Sequence, residues 1–180
     1  MKAFFAVSEE REVVQSLDFA QRFGLDLERV PQYPGVVGDV RVVSSSDFTR
    51  DLETALGGTL ERKLVEFKSD NASVNLKTFF IEYESTSDGW TTRRPSGHEK
   101  AITSGCILVL SSGPRCLVFN LASYTKLIDG VIRERTTKFR KNGNRPNSFT
   151  RGRIVPLKHA IKVASFVYKM STDTEPPIAF

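Results

Sequence analysis

Apolar and polar positions alternate most regularly between residues 64 and 84. Val65 and Phe67 fall on one side of an extended segment, and Glu66, Lys68 and Asp70 on the other. Phe79, Ile81 and Tyr83 alternate in the same way with Phe80, Glu82 and Glu84. A period of two predicts two strands, each apolar on one face and acidic on the opposite one. A period near 3.6 appears earlier, where Val13, Val14, Leu17 and Ala20 share a face. It predicts a helix over 9–23, capped by Ser8, opened by Glu9 and Glu10 and stopped at Gly24.

VRVV (40–43) reads as a strand. In 51–70, Gly57–Gly58 lies between two strand-length runs and predicts a hairpin. Residues 77–84 would be a third strand of that group. A short helix is expected over 94–104, opened by Pro95 or Ser96. CILVL (106–110) and RCLVFNL (115–121) read as buried strands joined by SSGP. Ser123 would cap a helix carrying Tyr124, Leu127, Ile128, Val131 and Ile132. Pro156 would open a last helix with Leu157, Ala160, Ile161, Ala164 and Val167 on one side. The order predicts an α/β fold with a mixed central β-sheet flanked by helices, as one domain over 1–170 and a flexible tail over 171–180.

Composition narrows the partners. The chain has 180 residues, 39% of them hydrophobic, and a formal net charge of +5. That is enough for one core, and the positive balance favours an acidic partner, nucleic acid being the commonest. No apolar run approaches the roughly 20 residues that span a bilayer, and MKAFFAV is too short for the apolar region of a signal peptide. Cys106 and Cys116 sit in apolar runs, which suits reduced core cysteines in a cytoplasmic protein better than the alternative of a pair bridged across a hairpin. His98 and His159 are isolated, and no Cys/His group has zinc spacing. His98 is expected at the surface, with contact to a bound substrate as the rarer alternative.

The acids on strand-like segments need partners. A carboxylate on an otherwise apolar strand costs desolvation energy unless it is paired or metal-bound. Convergence on a divalent cation is one solution, and carboxylate oxygens suit Mg²⁺ or Mn²⁺. The expected hairpin would return Glu66 to the level of Asp51. That would set two carboxylates and the Lys68 amine around one point, an arrangement suited to phosphodiester hydrolysis. The plainer reading of Glu66, Lys68, Glu82 and Glu84 is a solvated sheet face with cross-strand ion pairs.

Thr49-Arg50-Asp51 followed by Glu66-Phe67-Lys68 resembles the PD-(D/E)XK nuclease superfamily, with Thr-Arg-Asp where Pro-Asp is usual. VEFKSD, FFIEYES, the Gly89-Trp90 pair and RGRIVPLKHA (151–160) resemble phage-encoded, resolvase-like members over roughly residues 50–160. The resemblance implies a mixed α/β core, a restriction-endonuclease-like arrangement and DNA cleavage with Mg²⁺ or Mn²⁺. It implies Asp51 and Glu66 as metal ligands and Lys68 as the catalytic lysine. A helix-borne acid completes many such sites, and Glu12 is the choice among Glu9, Glu10 and Glu12. A competing register takes Asp70 as the aspartate and Glu82-x-Glu84 as the last motif, with glutamate in place of lysine; under the first register Asp70 and Glu82 would be outer ligands. Branched DNA would be a substrate by the resolvase analogy, and paired cuts would call for a homodimer. The departure at Thr-Arg-Asp leaves a second reading: a chain that keeps the fold and binds nucleic acid without cutting it.

Residues 133–153 are the other informative stretch. Arg133, Arg135, Lys138, Arg140, Lys141, Arg145, Arg151 and Arg153 stand against Glu134 alone. A flexible basic loop here, with Arg93 and Arg94 beside it, would follow a phosphate backbone. Tyr83 and Trp90 are candidates for stacking on bases, with core packing as the commoner role for such rings.

Overall fold

The computed structural model describes residues 2–31, 36–69, 77–95, 97–138 and 148–171. Helix α1 (Lys2–Phe23) is followed by strands β1 (Asp26–Arg29) and β2 (Val40–Ser44), a 3-10 turn (Asp47–Thr49) and helix α2 (Arg50–Leu56). Next come β3 (Leu64–Ser69), β4 (Thr78–Thr86), β5 (Arg94–Pro95), α3 (Gly97–Thr103), β6 (Ile107–Ser112) and β7 (Arg115–Phe119). The remaining elements are α4 (Leu121–Ile128), β8 (Arg133–Lys138), β9 (Phe149–Pro156), α5 (Leu157–Val163) and β10 (Phe166–Lys169).

The expected α/β class, with a mixed central sheet flanked by helices, is what forms. Six strands run in the order β1-β2-β3-β6-β7-β10. β3 and β6 are parallel and every other neighbouring pair is antiparallel. On one face Phe19 and Phe23 of α1 pack with Val65, Phe67, Val109, Val118 and Tyr168. On the other, Leu108, Leu110, Leu117 and Phe119 meet Ile102 of α3, Tyr124 and Leu127 of α4, and Phe79, Ile81 and Val155. β6 and β7 therefore bury both faces, which is why their sequences run continuously apolar.

Phe79, Ile81 and Val155 belong to a second sheet, ordered β5-β4-β9-β8, which the single-sheet expectation did not separate. β4 and β9 pair antiparallel, and the register shifts between Glu82 and Glu84, so Tyr83 is the extra residue of a bulge.

The structure corrects several element boundaries. Residues 50–56 are helical, so the hairpin turning at Gly57–Gly58 does not form. Leu52, Ala55 and Leu56 recur at helical spacing, Leu52 is fully buried, and Gly57 takes φ 75° as the C-terminal cap. The N-terminal helix begins earlier than Ser8, at Lys2, and stops at Gly24, whose φ is 57°. Asn120, rather than Ser123, caps α4, and the two form a reciprocal capping box. The last helix ends at Val163, and Val167 lies in β10. The basic stretch 133–153 is strand at both ends, as β8 and β9, and not one flexible loop. Residues 139–147 and 172–180 lie outside the described residues. Both cysteines are buried and free, as the composition suggested. No helix of the described residues is long and apolar enough to cross a membrane.

Candidate active site

β2 and β3 build the site. The antiparallel pairing of Val40 with Val65 brings Asp39 level with Glu66. The Asp39 amide donates to the Val65 carbonyl at 2.8 Å. Asp39 Oδ2 in turn accepts the Phe67 amide at 2.6 Å, and Glu66 Oε2 accepts the Gly38 amide at 2.9 Å. Each carboxylate is thus tied to the other's strand, so the two acids sit at a fixed spacing.

Lys68 lies two residues beyond Glu66 on the same face. Its Nζ is 2.7 Å from Glu66 Oε1 and 3.9 Å from Glu12 Oε1 on α1. The three side chains are 13% (Glu66), 25% (Glu12) and 29% (Lys68) exposed, so the ion pairs are only partly screened by water. Glu12, Asp39, Glu66 and Lys68 line one pocket of about 560 Å³, walled on one side by Val13, Leu17 and Leu27.

The electrostatics follow from that crowding. Burial pushes the Asp39 carboxyl above its usual range, and the Glu66 charge adds to it, against partial relief from Lys68 and the Phe67 amide. Burial works against the Lys68 charge, but Glu66, Glu12 and Asp39 outweigh it and hold the ammonium protonated. In the protein alone, Lys68 supplies the positive charge that the neighbouring carboxylates need.

A second layer stands behind Lys68. The Glu82 amide donates to His98 Nδ1 at 3.0 Å, which puts the proton of the neutral ring on Nε2. Contrary to the surface expectation, His98 is buried, and burial together with the Lys68 charge lowers its pKa to about 3. The Glu82 carboxyl is raised by burial and partly lowered by Lys68. Gly97 allows the close approach: a Cβ there would sit 2.6 Å from both Cβ and Oε2 of Glu82.

Of the expected site residues, the structure gathers Glu12, Glu66 and Lys68, and sets Glu82 within the field of Lys68. Asp51 is corrected. It is exposed in the first turn of α2 and does not line the pocket, because its segment is helical and cannot return Glu66 to its level. Asp70 lies outside the described residues. The acid that occupies the place expected for Asp51 is Asp39, which sequence pattern alone did not single out. Its signal was a Gly-Asp pair immediately before the strand VRVV. Among the described residues, no three or more His, Cys, Asp and Glu side chains form a group that could hold a metal by themselves.

The basic residues divide into two groups. Arg93 and Arg94 beside and in β5, and Arg133 and Arg135 on β8, are exposed. Arg151 and Arg153 have other work within the fold: Arg151 bonds Glu84 at 3.2 Å and lies 4.5 Å over the Trp90 ring. Arg153 bonds Glu99 and lies 4.1 Å over Tyr83. Lys138 closes β8, and its side chain, with Arg140, Lys141 and Arg145, lies outside the described residues. Trp90 stands in a loop braced by Thr86 and Asp88, and the Thr92 amide with the Thr86 and Thr92 hydroxyls holds the Asp88 carboxyl down to about 2.

No family model matches the chain, and neither a curated protein nor a solved structure matches it significantly.

Proposed function

We propose that this chain is a metal-dependent endonuclease that hydrolyses DNA phosphodiester bonds. One observation carries the reading: Asp39, Glu66 and Lys68 meet with Glu12 in a single pocket, on a mixed sheet flanked by helices of the kind the PD-(D/E)XK resemblance implies. The donor set fits Mg²⁺ or Mn²⁺, which take a few carboxylate oxygens and leave positions for water and a substrate phosphate. Asp39 and Glu66 would hold the cation. When bound, it supplies a more acidic water and neutralises phosphate charge.

The chain's own groups do the rest. Lys68, kept protonated by Glu66, Glu12 and Asp39, stabilises the negative charge that grows on the phosphate in the transition state. Glu12 steadies the ammonium from the helix side. Exposed Arg93, Arg94, Arg133 and Arg135 bind the phosphate backbone and set its register without reading sequence. On this reading the enzyme works in the cytoplasm, on branched or phage and host DNA, and as a homodimer where two cuts are paired.

The test is cleavage of supercoiled plasmid. Nicked and linear products are expected with Mg²⁺ or Mn²⁺, none in EDTA, and none from Lys68→Ala, which should still bind DNA. Salt-sensitive binding with no cleavage under any of these metals would leave a nucleic-acid-binding protein that has lost catalysis.

A further inference from the structure

The pocket is lined by two cations, and the cleavage chemistry described above uses only one. Lys68 is committed: its Nζ lies 2.7 Å from Glu66 Oε1 and 3.9 Å from Glu12 Oε1. The second cation is Arg29, the last residue of β1, which lines the same pocket as Glu12, Asp39, Glu66 and Lys68. Strand pairing fixes the side from which it enters. Arg29 stands opposite Val40, and Leu27 opposite Val42. Leu27 and Arg29 are two residues apart and share a face, and both line the pocket together with Val40. The Val30 amide donates to the Asp39 carbonyl at 3.0 Å, which ties the chain just after Arg29 to the acid itself.

Arg29 differs from its neighbours in having nothing to hold. Arg41, on the opposite face of the same two strands, pairs with Glu28 at 3.9 Å. Arg22 bonds the Lys169 carbonyl and lies over the Tyr168 ring. Arg29 is exposed, and among the described residues its side chain makes no ion pair and no hydrogen bond. Its charge nevertheless reaches the site. Burial raises the Asp39 carboxyl most, and Arg29 is one of the charges that pull it back down. The guanidinium is therefore near Asp39 without being bonded to it.

We propose that Arg29 is the substrate-positioning residue of the pocket, its guanidinium gripping the non-bridging oxygens of the phosphodiester to be cut. The proposal rests on the nuclease reading and deepens it. A guanidinium offers two parallel N–H donors, which match two oxygens of one phosphate. The charges agree. Glu12, Asp39 and Glu66 line the pocket against Lys68 and Arg29, so the lining is one charge negative and repels a phosphate. A divalent cation on Asp39 and Glu66 turns that into one positive charge, which a single phosphodiester neutralises. Without Arg29 the loaded pocket would carry no net charge to attract it. The apolar wall of Val13, Leu17 and Leu27 keeps water from one side and strengthens the attraction. The arginines of β5 and β8 belong to the other sheet and do not line this pocket, so they hold the backbone away from the scissile bond.

The experiment measures binding apart from cutting. Arg29→Gln and Arg29→Lys are placed in the full chain carrying Lys68→Ala, and a short labelled duplex is titrated in Mg²⁺ by fluorescence anisotropy at several salt concentrations. Arg41→Gln, which removes an equal charge from the opposite face, is the control. Arg29→Gln should weaken duplex binding roughly tenfold or more, the loss of one charged hydrogen-bonded contact. It should also lower the slope of log binding constant against log salt by just under one unit. Arg29→Lys, which keeps the charge and loses the fork, should keep the slope and regain part of the affinity. Arg41→Gln should change neither. Calorimetry without DNA separates a grip on phosphate from support of the metal site. Arg29→Gln in the otherwise parent chain should bind Mn²⁺ at least as tightly as the parent, since a repelling charge has gone. An Arg29→Gln variant with unchanged duplex affinity and slope, an equal loss in Arg41→Gln, or disappearance of the Mn²⁺ site in Arg29→Gln overturns the proposal. Metal-dependent plasmid cleavage by the parent alongside such a result leaves the nuclease reading standing. Duplex affinity that depends on Arg29 in a parent that never cuts removes the nuclease reading and keeps the grip.

Discussion

Replacing Asp39 by asparagine separates the function of the pocket from its stability. Asp39 Oδ2 accepts the Phe67 amide at 2.6 Å, and a carboxamide oxygen can accept the same bond. A charged acceptor is worth about 1 kcal/mol more than a neutral one, so this hydrogen bond favours the parent. The opposing effect is ionisation itself. Burial and Glu66 raise the Asp39 pKa on folding, so the folded chain holds that proton more tightly than the unfolded chain does. The cost of ionising Asp39 is therefore absent below the unfolded value of 3.8, appears as pH rises through the raised folded value, and is complete above it. The two effects oppose each other, so Asp39→Asn in EDTA at pH 7.5 should lie within about 1 kcal/mol of the parent. It should gain on the parent between pH 4 and pH 7.5. Asp39→Ala leaves the Phe67 amide without this acceptor and should cost about 1–3 kcal/mol. Urea unfolding of the three proteins at both pH values reads all of this. An asparagine variant that loses more than about 2 kcal/mol at pH 7.5, or that falls behind the parent as pH rises, refutes the charge balance described for the pocket.

Three further outcomes are expected. Mg²⁺ should raise the unfolding free energy of the parent by about 2.7 kcal/mol at a hundredfold excess over Kd, and less on acidification toward the raised Asp39 pKa, because protons compete for the same oxygens; thermal melts across pH check it. Gly97→Ala should cost about 1–3 kcal/mol and displace Glu82, since φ is 53° and the new Cβ would meet Glu82 at 2.6 Å. Gly57→Ala, with φ 75° and open space around it, should cost only about 1 kcal/mol, so urea unfolding of the pair separates backbone strain from the clash. Arg133→Ser with Arg135→Ser should lower the slope of log binding constant against log salt by just under one unit for each phosphate no longer neutralised, and an unchanged slope would remove β8 from the DNA path.

Local pattern made some of this architecture legible and left the rest dark for physical reasons. The alternation of Val65 and Phe67 with Glu66 and Lys68 identified β3, because one of its faces packs on α1 and the other carries charge. DLETAL was misread because a Gly-Gly pair serves equally as a hairpin turn and as a helix end, and six residues are too few for period alone to decide. Asp39 escaped notice because its one local mark, the Gly-Asp pair before VRVV, says nothing of Glu66. Its place beside Glu66 arises from the pairing of Val40 with Val65, residues far apart in sequence. β8 read as a loop because an edge strand is kept polar and charged on both sides. The last helix ran too far in sequence because Ala164 and Val167 extend its apolar spacing, whereas Ala164 turns out of the helix at ψ 141°.

Binding of Mn²⁺ to the pure protein, followed by calorimetry, bears most directly on the central claim that Asp39 and Glu66 hold one cation beside Lys68. One site per chain is predicted, abolished in Asp39→Asn and in Glu66→Gln and untouched in Asp51→Asn. Equal binding by Asp39→Asn and the parent, or disappearance of the site in Asp51→Asn, would contradict it.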